Sequence, residues 1–258
     1  HLDEYSAEEI HSILERAGHV GIAGAIIAGT TLASTKRCIS LSRSHPDVFV
    51  GVGIHPMEVL EPFTDATYGT LKEIALSSSK VLVMSEIGLD FLDGAPDRAI
   101  QYDAFRQQIR LARELELPIV FHSRESHDEV FRVLKEEQAY EVGGAMHYFQ
   151  GDIKEARTAI DLGFYISFAR PLLRLSDLQK VASELSLGDI VLETDAAPQP
   201  FKTKRENWTE PRHLAVIAEK LAEIKDVSMY EIENVTTGNM KNLLGRRWNE
   251  LKSEVENN

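Results

Sequence analysis

Short apolar runs alternate with longer amphipathic segments along this chain. The runs are rich in Val, Ile, Phe and Gly and are apolar on both faces, which is typical of parallel strands buried on both sides. Seven such runs occur, at Val20–Ala28, Val48–Ile54, Val81–Ile87, Pro118–His122, Gly144–His147, Phe164–Phe168 and Ile190–Glu193. The pattern therefore predicts seven parallel β-strands.

Segments with helical spacing lie between and after these runs. The clearest is Arg98–Glu116, in which apolar residues recur at intervals of three to five positions. The others are Ala7–Ala17, Ala66–Leu76, Glu125–Glu137, Lys154–Leu162 and Ser176–Leu185, followed in the tail by Pro211–Lys225 and Met229–Leu244. Regular alternation of strand and helix predicts an α/β fold with a parallel sheet.

The length of the chain favours one particular α/β architecture. Its 258 residues match a single (β/α)8 TIM barrel, and no internal repeat, low-complexity tract or linker divides them. We therefore expect one domain over residues 1–258. Because seven runs are one strand short of eight, we expect the first strand of the barrel to lie upstream of His1.

Composition narrows the class of protein further. Hydrophobic residues make up 43% and charged residues 27%, as in ordinary globular proteins. The net charge of −13 argues against a protein that coats nucleic acid or lies on an anionic membrane. A single cysteine, Cys38, fits a reducing compartment, and no signal peptide or membrane span is evident. We expect a cytoplasmic protein with no membrane contact, and nothing indicates an obligate protein partner.

The predicted strands end in residues that carry chemistry. Barrel enzymes build their sites at the carboxyl ends of the strands, so side chains from distant parts of the sequence meet there. Five strand ends carry an imidazole or a carboxylate, at His55, Glu86, His122, His147 and Asp195. His1 stands where the expected first strand, upstream of this sequence, would end. These residues are expected to converge on one site.

Imidazoles and carboxylates together are suited to a divalent cation such as Zn, Mn or Mg. Glu86 is a candidate to bridge two such ions, as in two-metal hydrolases. No Ser-His-Asp order, glycine-rich phosphate loop or CxxC motif indicates a different chemistry. The remaining histidines are expected to be surface or structural residues, namely His11, His19, His45, His127 and His213.

Six motifs in order give the chain a resemblance to a known family. HLD at the start, GIHP, EIGLD, FHSR, MHYF and LETDAAP resemble the motifs of the TatD-type metal-dependent deoxyribonucleases. The segment Asn239–Leu244 resembles the terminal NxxxLF of that family. Two motifs depart from the pattern, because HLD lacks the first His of HxHLD and LETDAAP has an extra Ala.

The resemblance implies an amidohydrolase-like barrel that holds divalent metal ions, which we expect to be two. By motif, Glu86 would bridge the ions, His122 and His147 would complete one metal site, and His1 and Asp195 would serve the other. Asp195 and Glu86 are the expected catalytic residues, with Asp195 orienting or deprotonating the attacking water. His55, Ser123 and Arg124 would line the phosphate side of the pocket.

The loops after the last two strands concentrate positive charge in an acidic chain. They hold Arg170, Arg174, Lys202, Lys204 and Arg205, and barrels often bind phosphate there. We expect Lys204 and Arg205 to bind substrate, with Trp208 either stacking on a base or packing in a seam. The resemblance implies a DNase, and this charge pattern favours one that is 3′–5′ or otherwise end-directed and acts on single-stranded DNA ends.

Two alternatives remain open from the sequence. The same metal site would also suit hydrolysis of an amide, ester or lactone, since this barrel type hosts several chemistries. A non-catalytic binding protein on a decayed barrel is the other alternative.

Overall fold

A computed structural model describes residues 1–250, which contain seven strands and nine α-helices. The strands are β1 (Ala25–Ala28), β2 (Val48–Val52), β3 (Val81–Asp90), β4 (Ile119–Arg124), β5 (Gly144–Met146), β6 (Phe164–Phe168) and β7 (Ile190–Leu192). The helices are α1 (Ala7–Gly18), α2 (Leu32–Ser44), α3 (Asp65–Leu76), α4 (Arg98–Glu114), α5 (His127–Glu136), α6 (Ile153–Asp161), α7 (Ser176–Glu184), α8 (Leu214–Lys225) and α9 (Met229–Leu244).

All seven strands are parallel and pair in sequence order from β1 to β7. The sheet curls into a barrel-like wall with the connecting helices outside it, as the TIM-barrel prediction required. Because every strand runs in the same direction, the segments that follow the strands all lie at one end of the wall. This end carries the residues predicted to form the site.

Large apolar side chains from strands and helices fill the interior. Phe105 of α4, Phe121 of β4 and Phe168 of β6 are fully buried, and Phe121 packs edge to face on Phe164. Burial of each such ring contributes about 1.5–3 kcal/mol to the free energy of unfolding. The interior is thus a packed core, which holds the strand ends in fixed positions.

A buried amide attaches the last helix to the last strand. The Asn239 side chain of α9 donates hydrogen bonds to the carbonyl oxygens of Leu187, at 2.9 Å, and Ile190, at 2.7 Å. Ile190 is the first residue of β7 and Leu187 lies in the turn just before it, so this asparagine fixes the position of that strand relative to α9. Asn239 begins the segment that resembles the family's terminal motif.

The observed elements differ from the predicted ones in a few places. The predicted run Val20–Ala28 forms a strand only from Ala25, because Val20 is exposed and Gly21 has a left-handed φ of +85°. Helix α2 was not predicted. β3 extends to Asp90, three residues beyond its predicted end.

Two predictions about the extent of the fold stay predictions. The strand expected upstream of His1 lies outside this sequence, and the single domain predicted for 1–258 includes residues 251–258, which lie outside the described residues. Within residues 1–250, no helix is both long and apolar enough to cross a membrane.

Candidate metal centre

The carboxylate of Glu86 is the centre of the candidate site. It is buried on β3, and three imidazole Nε2 atoms face it from three directions. Its Oε1 lies 3.5 Å from His147 and 3.7 Å from His1, and its Oε2 lies 3.8 Å from His55. These distances are too long for hydrogen bonds. Each imidazole nitrogen therefore lies at nearly the same distance from a carboxylate oxygen of Glu86, without bonding to it.

Two groups of three side chains could each hold a cation. His55, Glu86 and His122 form one group, and His1, Glu86 and Asp195 form the other, with the ligand atoms of each group within 4.8 Å of one another. Glu86 belongs to both groups, as expected of a bridging carboxylate. Two ligand atoms about 2.1 Å from one ion lie about 3.4 Å apart at the tetrahedral angle, so the observed gaps fit a metal of that size.

His1 reaches this site through a backbone contact. Its terminal amino group donates a 2.8 Å hydrogen bond to the carbonyl oxygen of Ala196, and its Nε2 lies 3.6 Å from Asp195 Oδ1. Asp195 has a left-handed φ of +48°, a conformation that few non-glycine residues adopt and that is concentrated at functional sites. The turn after β7 thus directs this carboxylate toward His1.

The buried site controls the protonation of its own groups. Burial, together with neighbouring His122, lowers the pKa of His55 to about 4, so this imidazole is neutral at neutral pH. Burial alone would raise the pKa of Glu86, but the surrounding imidazoles of His147 and His55 outweigh it and lower this pKa. Neutral imidazole and ionised carboxylate are the states that bind metals.

Glu193 is a site residue that the sequence analysis did not identify. Its carboxylate lies 2.9 Å from His147 Nδ1 and accepts hydrogen bonds from the Ser167 hydroxyl, at 2.5 Å, and the Tyr148 backbone N–H, at 3.0 Å. Burial favours neutral His147, but Glu193 and Glu86 outweigh it and raise the pKa of His147 to about 10. Such carboxylate–histidine pairs orient metal ligands.

A second carboxylate orients His122. Asp90 Oδ2 lies 3.0 Å from His122 Nε2, and the Leu92 backbone N–H donates to Asp90 Oδ1 at 3.0 Å. Burial would raise the pKa of Asp90, but His122 and the Leu92 N–H lower it. This contact engages His122 Nε2 and leaves Nδ1 as the ring nitrogen without a partner in it, whereas His147 has Nε2 toward Glu86. The prediction that His122 and His147 complete one metal site stays a prediction. His122 belongs to a ligand group with His55 and Glu86, whereas the contact of His147 within the site is with Glu86.

Two buried glutamines of α4 also escaped the sequence analysis. The Gln108 amide accepts from Ile54 N at 2.7 Å and donates to Ile54 O at 3.1 Å, next to His55. Gln101 makes the same two-way contact with the backbone of Asp90, both bonds at 2.9 Å. These side chains complete the backbone hydrogen bonding where β2 and β3 approach the site. The sequence feature that could have identified them is their spacing of seven positions, which places both glutamines on the buried face of α4.

The predicted phosphate-side residues lie beside the centre. His55 contacts the His122 ring, with centroids 4.5 Å apart. Ser123 and Arg124 end β4, where the Ser123 hydroxyl lies 2.6 Å from His127 Nδ1 and the Arg124 side chain is exposed. The structure therefore brings His55 into a ligand group and leaves Arg124 free to reach solvent at the mouth of the site.

The two basic residues predicted to bind substrate have partners within the protein. The Arg205 guanidinium lies 4.4 Å from the Trp208 ring centroid and 5.1 Å from that of Tyr5, and it pairs with Glu9 and Glu210. Lys204 lies 3.7 Å from Glu206. Trp208 packs against Tyr5 and the core. Of the two expected roles, stacking on a base or packing within the protein, it has the second. Arg205 thus ties the loop after β7 to the start of the chain.

Comparisons with known proteins agree with this geometry. The chain is 31% identical over 240 residues to the "Uncharacterized metal-dependent hydrolase YabD" of Bacillus subtilis, covering 91% of this chain and 92% of that protein. It is 28% identical to the "3'-5' ssDNA/RNA exonuclease TatD" of Erwinia tasmaniensis, over 92% and 94% of the two chains. The crystal structure of the TatD homologue YJJV from Escherichia coli superimposes with a TM-score of 0.85 at 25% identity, covering 94% of this chain and 95% of that one.

The match to a family extends over nearly the whole chain. The family described as "TatD related DNase" matches residues 1–245, which include every residue of the candidate metal centre. The chain therefore belongs to the TatD related DNase family, whose members here include metal-dependent hydrolases.

Proposed function

We propose that this protein is a divalent-metal-dependent hydrolase that cleaves phosphodiester bonds at single-stranded ends of DNA. The observation that carries the proposal is the sharing of Glu86 by two ligand groups, one with His55 and His122 and one with His1 and Asp195. A carboxylate in this position can hold two ions at the spacing used by two-metal hydrolases. Zn, Mg and Mn all suit the donor set.

Each side chain has a distinct role in this proposal. Bound ions would lower the pKa of a water molecule and neutralise charge on the phosphate. Asp195 orients the attacking water and accepts its proton, since its carboxylate is part-exposed at the mouth of the site. Ser123 and Arg124 bind the phosphate oxygens, and His147, whose Nε2 lies 3.5 Å from Glu86 Oε1, supplies a further imidazole ligand to the centre.

Charge near the site supports a phosphate-bearing substrate over an amide, ester or lactone. Arg170 and Arg174 lie on the segment that follows β6, at the end of the barrel that carries the metal centre. Cationic groups beside a two-metal site match the developing charge of a phosphoryl group. The name of the Erwinia relative, a 3′–5′ exonuclease of single-stranded DNA and RNA, supports the same substrate class. The single buried thiol of Cys38 fits the cytoplasm as the location.

The experiment that tests this proposal measures release of nucleotides from single-stranded DNA labelled at the 5′ or the 3′ end. We expect release that requires a divalent ion and that is lost in Asp195→Ala. The phosphodiester bis-p-nitrophenyl phosphate is assayed beside carboxylic ester and amide substrates. Hydrolysis of an amide or ester with both DNA and phosphodiester untouched would replace the proposal with the amidohydrolase alternative. Bound metal without any hydrolysis would favour a binding protein.

A further inference from the structure

A pocket opens between the segments that follow β6 and β7, at the end of the barrel that carries the metal centre. Its volume is about 570 Å³, and its walls include Arg170, Phe201, Lys202, Glu206, Asn207 and His213. Both segments leave the carboxyl ends of their strands, as do the residues of the metal centre. The pocket therefore lies at the end of the barrel where substrate would enter.

Two cations in this pocket have only neutral hydrogen-bond partners. Lys202 donates to the Gln199 side-chain oxygen at 2.7 Å and to the Asn207 carbonyl at 2.9 Å, and Arg170 donates to the Thr209 hydroxyl at 3.0 Å. Among the ion pairs of residues 1–250, neither cation has a carboxylate within 4.0 Å. The carboxylate in the lining, Glu206, lies 3.7 Å from Lys204, so Arg170 and Lys202 carry two positive charges without an ion pair in a chain with a net charge of −13.

The cations also act on each other and on a neighbouring histidine. Burial and then Arg170 lower the pKa of Lys202, and burial followed by Arg170 and Arg212 lowers the pKa of His213. Adjacent like charges destabilise a folded protein unless an anion binds between them. The pocket is thus suited to an anionic group.

An aromatic side chain stands at the edge of the same pocket. Phe201 is 79% exposed, the highest value among the large hydrophobic side chains of the described residues. It adjoins Lys202 in the sequence and has no aromatic partner among the ring contacts of residues 1–250. A solvated ring next to a cation is the arrangement with which proteins bind single-stranded nucleic acid, because every base can stack on it.

The position of Arg170 connects this pocket to the metal centre. Arg170 lies two residues after Phe168, whose carbonyl oxygen accepts a 3.1 Å hydrogen bond from the Glu193 backbone N–H. Glu193 in turn contacts His147 at 2.9 Å, so Arg170 stands on the segment that joins the pocket wall to the edge of the metal centre. A chain with phosphates at regular spacing would pass from one to the other.

We propose that this pocket is a nucleotide subsite, in which Arg170 and Lys202 bind a phosphate flanking the scissile one and Phe201 stacks on the base. The subsite rests on the function proposed above and refines it. It assigns phosphate binding to Lys202, whereas the sequence favoured Lys204 and Arg205. Lys204 pairs with Glu206, and Arg205 pairs with Glu9 and Glu210, so the positive charges of both are already compensated. The ligand is single-stranded nucleic acid with intact bases.

The test measures binding of a fluorescent hexathymidylate with hydrolysis-resistant phosphorothioate linkages to the full chain, by anisotropy. Phe201→Ala is expected to weaken binding about 5- to 100-fold, as for loss of one stacked base. The same substitution is expected to have no effect on an oligomer that is abasic at the stacked position. Lys202→Gln is expected to reduce the slope of log K against log salt by about 0.7, since one phosphate contact is lost.

Matched controls lie outside the pocket. Tyr230→Ala removes an aromatic side chain of similar exposure, 76%, from α9, and Lys36→Gln removes an exposed lysine from α2. Binding by Phe201→Ala and Lys202→Gln equal to that of these controls would overturn the subsite while the proposed function stands. A wild-type protein that neither binds the hexamer nor releases nucleotides from DNA would overturn both.

Discussion

His147 Nδ1 lies 2.9 Å from Glu193 Oε1, and this contact determines which ring nitrogen faces the metal centre. Because the carboxylate accepts from Nδ1, it is Nε2 that faces the centre, 3.5 Å from Glu86 Oε1, and a metal ion bound there would displace the Nε2 proton. The Ser167 hydroxyl and the Tyr148 N–H hold Glu193 itself in place. The orientation of a candidate ligand just after β5 is therefore fixed by the Ser167 side chain of β6 and by Glu193, which directly follows β7.

Glu193→Gln should lower metal affinity because the neutral amide accepts a weaker hydrogen bond from His147. Loss of such a carboxylate partner typically costs about 10- to 100-fold in metal affinity. Titration of the metal-free protein with Zn²⁺, followed calorimetrically, measures the change. Glu184→Gln, at a part-exposed position on α7, is the matched control. Equal affinity in Glu193→Gln and wild type would show that the contact has no part in metal binding.

Gln108→Met should impair catalysis while the fold is kept. Methionine has a similar shape but leaves the N–H and carbonyl of Ile54 without their partner, so His55 is no longer held in position. Displacement of a site residue by about 1 Å can cost about 100-fold in rate, and we expect a loss of about 10- to 100-fold in metal-dependent nucleotide release. Gln107→Met on the same helix is the control. A rate within twofold of wild type in Gln108→Met would contradict the positioning role.

Glu210 should contribute to stability only above acidic pH. Its side chain is nearly fully buried and pairs with Arg16 at 2.8 Å and with Arg212 and Arg205 at 3.0 and 3.3 Å. Burial would raise the pKa of Glu210, but Arg16 and the other guanidinium groups lower it overall. A carboxyl group with a lowered folded-state pKa stabilises the protein above its unfolded-state pKa, and this contribution is lost as pH falls through the folded-state value.

Urea unfolding of wild type and Glu210→Gln at pH 7 and at pH 4 measures this effect. At pH 7 the variant should be less stable by about 2 kcal/mol, the scale of hydrogen bonds to charged groups. The difference should shrink toward the lower pH. Glu219→Gln on α8, whose side chain is exposed away from these arginines, should show neither effect. A difference that grows as the pH falls would contradict the assignment.

The sequence predicted the site's main residues because parallel strands impose a simple rule. Their carboxyl ends lie at one end of the barrel, so His55, Glu86, His122 and Asp195 had to meet once seven parallel strands were inferred. Glu193 and Gln108 follow no such rule. Gln108 acts on a residue 54 positions away, and only the packing of α4 against the strands brings the two together.

Helix α2 shows why one element was missed. Four of its buried residues are Ser34, Thr35, Cys38 and Ser42, so its inward face carries little of the apolar pattern that marks a helix. Its start is instead specified by a capping box in which the Thr31 and Ser34 side chains satisfy each other's backbone N–H groups. Small residues suit a helix packed closely on the sheet.

Metal content measured together with nucleotide release in Glu86→Gln is the most direct test of the account. Both ligand groups contain Glu86, so its replacement should remove bound metal and activity together, with the fold confirmed by circular dichroism. Glu73→Gln, at an exposed position on α3, should retain the metal content and activity of wild type. A folded Glu86→Gln protein with the metal content of wild type would contradict the shared-carboxylate centre.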